Sequence, residues 1–340
     1  MSDAVAVVLM VGIIAYALFG GADFGAGFWD LIAGGAKRGE RPRALAAHSI
    51  GPVWEANHVW LIFCLVILGS AFAGAFASIA RTLFVPFSLA ALGIVLRGSG
   101  FAFRKEVLRT SSRRNFGAAF ASSSVLVPYC MGAIAGAIAS GRVPSGGKTG
   151  DAWSSWNNPS SIVGGVLAVA VCAYLAAVYL VGDARRLDDA AMVEYFRRRA
   201  VGAAVVTGFV AFAGIFVLHD DARYVFDGLT SRALPLVAIS AACGAGSLVL
   251  LVRSGYRTAR LLAAGAVAAV MGAWGVAQWP YILPTTLEVS RAAAPTATLV
   301  SILVVFGIAA VVIVPALGLL FLLDQKSLLE ADESVVTPPS

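Results

Sequence analysis

About nine long apolar stretches, separated by short polar segments, occupy the chain from its first residues to near its end. A helix needs roughly 20 apolar residues to cross about 30 Å of hydrocarbon, and these stretches approach or exceed that length. We therefore predict an all-α integral membrane protein with about nine transmembrane helices. The predicted helices are Ala4–Ile32, Gly51–Ala73, Arg81–Phe101, Phe116–Ser140, Ser161–Val181, Val201–Leu218, Ala233–Val252, Leu261–Trp279 and Thr296–Leu323.

The basic residues alternate between rich and poor loops. Of the 25 Lys and Arg residues, 18 follow the first, third, fifth, seventh or last predicted helix, six lie in the other loops, and Arg97 falls near the end of the third helix. Loops on the cytoplasmic side of a membrane carry an excess of Lys and Arg. The alternation therefore predicts an N-terminus outside and a C-terminus in the cytoplasm.

The composition agrees with a membrane protein. The 340 residues are 59% hydrophobic and 13% charged, with a mean hydropathy of +0.85, whereas soluble domains carry about 25% charged residues. Because the basic residues lie in particular loops, the net charge of +6 indicates topology and not nucleic-acid binding. We predict one polytopic membrane domain over residues 1–340, with a disordered tail at 327–340.

A group of polar residues lies within the first three predicted helices. An ionisable side chain at membrane depth costs about 2.5–3.5 kcal/mol on insertion scales, and such residues commonly mark ion or proton pathways. The topology places Asp23, Glu55, His58 and Arg97 toward the same, inner side of the membrane. Glu55 and His58 share a helix face at a spacing of three, and Asn57 could order a water among them. The group favours proton handling or the support of a neighbouring polar ligand.

A structural interpretation of the same residues stays open. Long side chains near a helix end can extend to the membrane interface at little cost, which would apply to Glu55, His58 and Arg97. Asp23 and Arg97 could also form a structural ion pair. A third possibility is a secondary transporter that couples an ion to the intramembrane carboxylate, which helices broken near the bilayer centre would favour.

The histidines argue against haem binding by this chain. His48 lies in a basic loop, His58 near the inner side and His219 at the opposite face, so no two of them can ligate one haem from facing helices. The four cysteines lie in apolar runs without Cys-x-x-Cys spacing, so a zinc site is not predicted. We expect that this chain alone binds no haem or metal.

Four segments carry a resemblance to a known family. GGADFGAGFWDL, AHSIGPVWEANHVWLI, LRGSGFAFRKE and GAWGVAQWPYILPTT are spread over the chain in that order. They resemble subunit II of the bacterial cytochrome bd-type quinol oxidases, including the cyanide-insensitive relatives. The resemblance implies two four-helix bundles plus one peripheral helix, here about 4–140, 160–279 and 296–323. It also implies a location in the bacterial cytoplasmic membrane.

The resemblance further implies what the chain works with. A subunit I of similar fold would bind the haems and the quinol, while the complex reduces dioxygen to water with protons from the cytoplasm. This chain would bind no haem, although some members carry a structural quinone. Small single-helix subunits are a further possible partner, and lipid surrounds the complex.

The resemblance extends to single residues. Asp23 falls on the family's helix-one aspartate, within an Asp-x-Gly-x-Gly setting. Trp54 matches the tryptophan of the helix-two motif, Asn57 its asparagine and Trp60 the later tryptophan.

Other positions of the motif differ from well-known members. Glu55 stands where an aspartate occurs, which keeps the carboxylate, and His58 stands where a glutamine can occur, which adds a titratable group. Arg97 and Arg104 match basic positions after helix three. The resemblance therefore implies a proton path through Asp23 and Glu55, with the other residues forming a polar cluster around it.

Overall fold

The structure is a computed structural model that describes residues 1–35, 37–50, 54–106 and 110–325. These residues form helices and one short hairpin. The elements are α1 (Ser2–Leu31), α2 (Glu40–Ile50), α3 (Trp54–Ala71), α4 (Ala73–Thr82), α5 (Phe84–Glu106), α6 (Thr110–Ala139), α7 (Pro159–Arg186), α8 (Ala190–Asp221), α9 (Arg223–Thr230), α10 (Leu234–Val252), α11 (Tyr256–Gln278), β1 (Tyr281–Leu283), β2 (Leu287–Glu288), α12 (Val289–Ala292) and α13 (Thr296–Gln325).

Most of the long helices are suited to a membrane. Within the described part of the chain, seven helices are long and apolar enough to span one, and the bent pair α3–α4 would make eight. The apolar part of α5, Phe84–Gly100, is shorter. The prediction of an all-α membrane protein is confirmed apart from the small hairpin, but the count of nine spans is not confirmed.

The predicted boundary between the second and third helices was wrong. The chain bends by 116° after α3 and forms the separate helix α4, so Arg81 belongs to α4 and the next long helix begins only at Phe84. Helix α4 is amphipathic and buries Ala75, Ser78 and Ile79. A search for apolar stretches of about 20 residues does not detect helices this short, which is why α2, α4 and α9 were not predicted.

Helix α1 lies at the centre of the packing. It contacts α3, α6 and α7, while α5 packs on α6, α7 on α8 and α10 on α11. Helix α13 contacts α3 and α1 and leaves residues such as Val305 and Val311 largely exposed, as a peripheral helix would. The division into bundles at about 4–140 and 160–279 stays a prediction, and the α1–α7 and α6–α7 contacts run across it.

The long helices alternate between two ends of the protein. We call the side with α2 the α2 end and the side with the β1–β2 hairpin the hairpin end. At the hairpin end, Ala294 donates its backbone N–H to the carbonyl of Ala71 (2.8 Å), which fixes the corner between α3 and α4. The predicted disordered tail, 327–340, lies outside the described residues.

Candidate functional site

Glycines allow neighbouring helices to approach α1 closely around Asp23. A Cβ atom at Gly25 would lie 1.8 Å from the backbone oxygen of Cys172 in α7, and one at Gly27 would lie 2.0 Å from Oγ of Ser124 in α6. Neither position can hold a larger side chain without displacing a helix. The close approach of α6 and α7 to α1 beside Asp23 therefore depends on these glycines.

Asp23 is buried and hydrogen-bonded to Asn57. Its side chain lies toward the α2 end of α1, and the residue is 5% exposed. The Nδ2 atom of Asn57 in α3 donates to Asp23 Oδ2 at 2.6 Å, and Asn57 is itself 4% exposed. A buried carboxylate needs hydrogen-bond donors to replace water. The Asn57 amide is such a donor, so the two residues, which were predicted to lie close together, are joined by a direct hydrogen bond.

Arg97 provides the positive charge of the site. It lies within α5 and is 2% exposed, so it does not extend to the membrane interface as the structural interpretation proposed. Its Nη2 atom donates to the backbone carbonyl of Asp23 at 2.6 Å, and its Nη1 atom donates to Ser124 Oγ. Among the described contacts, Arg97 therefore forms a hydrogen bond with the main chain of Asp23. It also interacts electrostatically with the side-chain carboxylate of Asp23.

Aromatic rings cover the Arg97 guanidinium. Its Cζ atom lies 4.9 Å from the ring centroid of Phe24 and 4.3 Å from that of Phe120. Ser124 Oγ in turn donates to the carbonyl of Phe120 at 2.7 Å. Cation–π contact stabilises a cation that has lost its water. The guanidinium is therefore held in one orientation by α1 and α6.

His58 and Trp60 both lie in α3 but have different surroundings. The His58 ring lies 6.1 Å from the ring of Tyr16 and 5.9 Å from that of Phe24, measured between centroids, so it belongs to the site. Trp60 stacks on Phe19 at 6.5 Å, farther along the α1–α3 interface. Trp60 therefore contributes to helix packing.

Three predicted site residues have no described side chain. Trp54 and Glu55 lie in the first turn of α3, and Arg104 lies near the end of α5. Their side chains fall outside the described residues. The proposed role of Glu55, two residues before Asn57, stays a prediction.

Ion pairs attach helix α2 to the end of α1 and to the start of α8. Arg43 Nε donates to Asp30 Oδ1 at 2.8 Å, and its Nη2 donates to the carbonyl of Gly34 at 2.5 Å. Arg41 pairs with Asp189, the N-cap of α8, at 2.7 Å. The backbone hydrogen bond from Met192 lowers the pKa of Asp189 below its usual value. These contacts fix helix α2 against α1 and α8.

Two residues of the site were missed by the sequence analysis. Ser124 bonds to Arg97, and the hydroxyl of Tyr16 is buried beside His58. The run Ser122–Ser123–Ser124 within an apolar helix was a usable signal, since hydroxyls at membrane depth need partners. Tyr16 lies seven residues before Asp23 and shares its helix face, which was a second signal.

The three histidines lie apart in the structure. His48 and His219 are exposed at opposite ends of the protein, and the His58 ring is packed against Tyr16 and Phe24. Within the described part of the chain, no group of three or more His, Cys, Asp or Glu side chains is arranged to hold a metal ion. The expectation that this chain binds no haem stays a prediction.

Comparison with known proteins gives the family. Residues 1–323 match the family described as cytochrome bd terminal oxidase subunit II. The chain belongs to this family. Its match to a solved structure, that of the bd oxidase from Geobacillus thermodenitrificans, has a TM-score of 0.78 and 24% identity, and covers 94% of this chain and 97% of that one. At that identity the likeness concerns the fold.

Curated relatives of the bd oxidase family align over part of their length. Cytochrome bd ubiquinol oxidase subunit 2 of Bacillus subtilis is 24% identical over 66% of this chain and 64% of the relative. Cytochrome bd-I ubiquinol oxidase subunit 2 of Escherichia coli K12 is 27% identical over 64% of this chain and 58% of the relative. The chain thus spans somewhat less than two thirds of the length of these relatives.

Proposed function

We propose that this chain is the haem-free subunit II of a bacterial bd-type quinol:O2 oxidoreductase. The complex would oxidise quinol and reduce dioxygen to water in the cytoplasmic membrane. The observation that carries the proposal is the family match over residues 1–323. The names of the relatives, both subunits of ubiquinol oxidases, support the same activity.

Within that complex, the proposed task of this chain is to conduct protons. Reduction of dioxygen to water consumes protons, and a carboxyl group shielded from water can take up and release them. Asp23 is such a group, oriented by Asn57 and lying near the Arg97 charge. Protons would enter from the α2 end, pass Glu55 and Asp23 and leave toward the partner subunit. Asn57, His58 and Arg97 would orient the path.

The direction of proton transfer along that path depends on how the protein is oriented in the membrane. The basic loops at the α2 end support a cytoplasmic α2 end, with the N-terminus outside and the C-terminus in the cytoplasm. Asp23 lies in the part of α1 nearer to the α2 end, so the proposed path takes up protons from the cytoplasm.

The proposal assigns the haems to a partner subunit I in a heterodimer, with small single-helix subunits as possible additions. A structural quinone would fit the groove of about 420 Å³ between α5 and α6. Leu96, Val125 and Leu126 provide apolar walls for an isoprenoid tail, and Ser122 and Tyr129 provide hydroxyls for a ring carbonyl.

The transporter alternative is not supported by the comparisons. The structure has one sharply bent helix pair, α3–α4, among the described residues. That bend is at the hairpin end, whereas Asn57 and Asp23 meet at the other end of α3. The break between α3 and α4 therefore does not lie at the acidic site.

The test is to purify the tagged chain from its native host. A co-purified subunit with haem bands in the reduced-minus-oxidised spectrum, and quinol-driven oxygen consumption by the complex, is expected. The chain expressed alone should be colourless. A coloured isolated chain, or a native preparation that consumes no oxygen with quinol, would refute the proposal.

A further inference from the structure

The hydroxyl of Tyr16 is a buried polar group with no protein partner among the described residues. Its oxygen is inaccessible to solvent, although part of the ring is accessible. Leaving a hydroxyl unpaired in an apolar environment is costly, and such groups in folded proteins are generally satisfied by ordered water. The hydroxyl therefore indicates a bound water beside it.

Gly20 determines where this hydroxyl lies. A Cβ atom at Gly20 would be 2.8 Å from Cε2 of Tyr16 and 3.5 Å from Cζ, the carbon that bears the hydroxyl. The ring of Tyr16 thus lies over Gly20, one helical turn nearer to Asp23 than its own Cα atom. Only a residue without a side chain leaves room for this ring position.

The surroundings of Tyr16 belong to the Asp23 site. The ring centroid lies 6.1 Å from that of His58 and 6.4 Å from that of Phe24. The hydroxyl is also close enough to Arg97 and Asp23 to interact with their charges. Tyr16 therefore continues the polar face of α1 beyond Asp23, away from the α2 end.

We propose that Tyr16 is a further positioning residue of this site, whose hydroxyl holds an ordered water that extends the path from Asp23 toward the middle of the membrane. The proposal rests on the proposed proton path. The water takes the proton released by the Asp23 carboxyl group and passes a different proton to the next acceptor. Tyr16 keeps its own proton and orients the water by hydrogen bonding, so no charge forms on the ring.

The experiment uses the complete purified complex with three variants of this chain. Tyr16→Phe removes only the hydroxyl, and Gly20→Ala displaces the ring. Gly21→Ala is the matched control, because its Cβ atom would meet Cys172 Sγ and Leu175 Cδ1 at ordinary distances of 3.5 and 3.7 Å. A cryo-EM map that resolves waters is combined with quinol-driven oxygen consumption and the haem spectrum of each preparation.

The expected map shows a water within hydrogen-bond distance of Tyr16 Oη, which is lost in Tyr16→Phe. Turnover should fall about fivefold in Tyr16→Phe and in Gly20→Ala, the rate equivalent of one lost hydrogen bond. The haem spectra should not change, and Gly21→Ala should retain turnover. A side chain of the partner subunit or a lipid tail against Tyr16 Oη, or full turnover in Tyr16→Phe, would overturn the inference.

The outcome is separable from that of the proposed function. If Asp23→Asn lowers turnover and Tyr16→Phe does not, the path stands and the role of Tyr16 is refuted. If Asp23→Asn has no effect, the proton path fails, and so does the proposed role of Tyr16 in it. The map shows in every case whether the water is present.

Discussion

The amide of Asn57 donates a 2.6 Å hydrogen bond to the carboxylate of Asp23, and both residues are almost completely buried. This bond joins α3 to α1 at the depth where Arg97 contacts the main chain of Asp23. Burial opposes the negative charge of this carboxylate, whereas the Asn57 amide and the nearby Arg97 guanidinium favour it.

Replacing Asn57 by Leu should destabilise the complex. Hydrogen bonds to charged groups contribute about 1.5–3 kcal/mol, and the Asp23 oxygen would lose its donor. We expect a lower thermal unfolding midpoint and slower oxygen consumption. Asn157→Leu, at an exposed position near the hairpin end, is the control and should behave like the wild type. Equal midpoints for Asn57→Leu and wild type would show that the bond carries no stability.

Removing the Arg97 charge should be more damaging than removing an exposed one. Arg97→Met leaves Asp23 without its nearby cation and Ser124 without its donor. Removing one partner of a buried pair of charges lowers the free energy of unfolding by about 3–5 kcal/mol. Little assembled complex should be recovered in detergent. Arg198→Met, with a side chain that is 77% exposed, should assemble normally. Similar yields for both variants would contradict the structural role given to Arg97.

The close approach of α1 and α7 at Gly25 gives another test. Gly25→Ala forces a Cβ atom against the backbone of Cys172, and overpacking of this kind costs about 1–3 kcal/mol. Gly182→Ala meets no atom within 4 Å and should be neutral or slightly stabilising, since Ala favours a helix. The thermal unfolding midpoint of Gly25→Ala should be lower than that of Gly182→Ala. Equal destabilisation would mean that α1 and α7 approach each other less closely at Gly25 than they do in the structure.

The contact between α2 and α8 should depend on pH. The folded-state pKa of Asp189 is below its usual value of 3.8 because Met192 donates its backbone N–H to the carboxylate. The stabilisation is therefore complete above pH 3.8 and is lost as the pH falls through the lower folded-state value. Hydrogen exchange in the first turn of α8 should accelerate in that range. Asp189→Asn, which keeps a capping oxygen, should show no such step, and a step that persists would contradict this assignment.

Residue types and spacing predicted the membrane fold and the proximity of Asp23 and Asn57. They did not predict the direction of the Arg97 side chain, because its contact with the Asp23 carbonyl depends on how α5 and α6 pack. The helix α4 was not predicted because ten amphipathic residues are too few to form an apolar stretch that spans a membrane. The contact between Gly27 and Ser124 depends on how α1 and α6 pack, so the spacing of residues along the chain did not predict it.

The carboxylate of Asp23 is central to the account, and the most direct test is the turnover of the purified complex with Asp23→Asn. The control is Asp3→Asn, at the opposite end of α1. We predict that Asp23→Asn lowers quinol-driven oxygen consumption about tenfold or more, as expected when a proton-transferring group is removed, with unchanged haem spectra. Asp3→Asn should keep its rate. Wild-type turnover in a correctly assembled Asp23→Asn complex would contradict the proposed proton path.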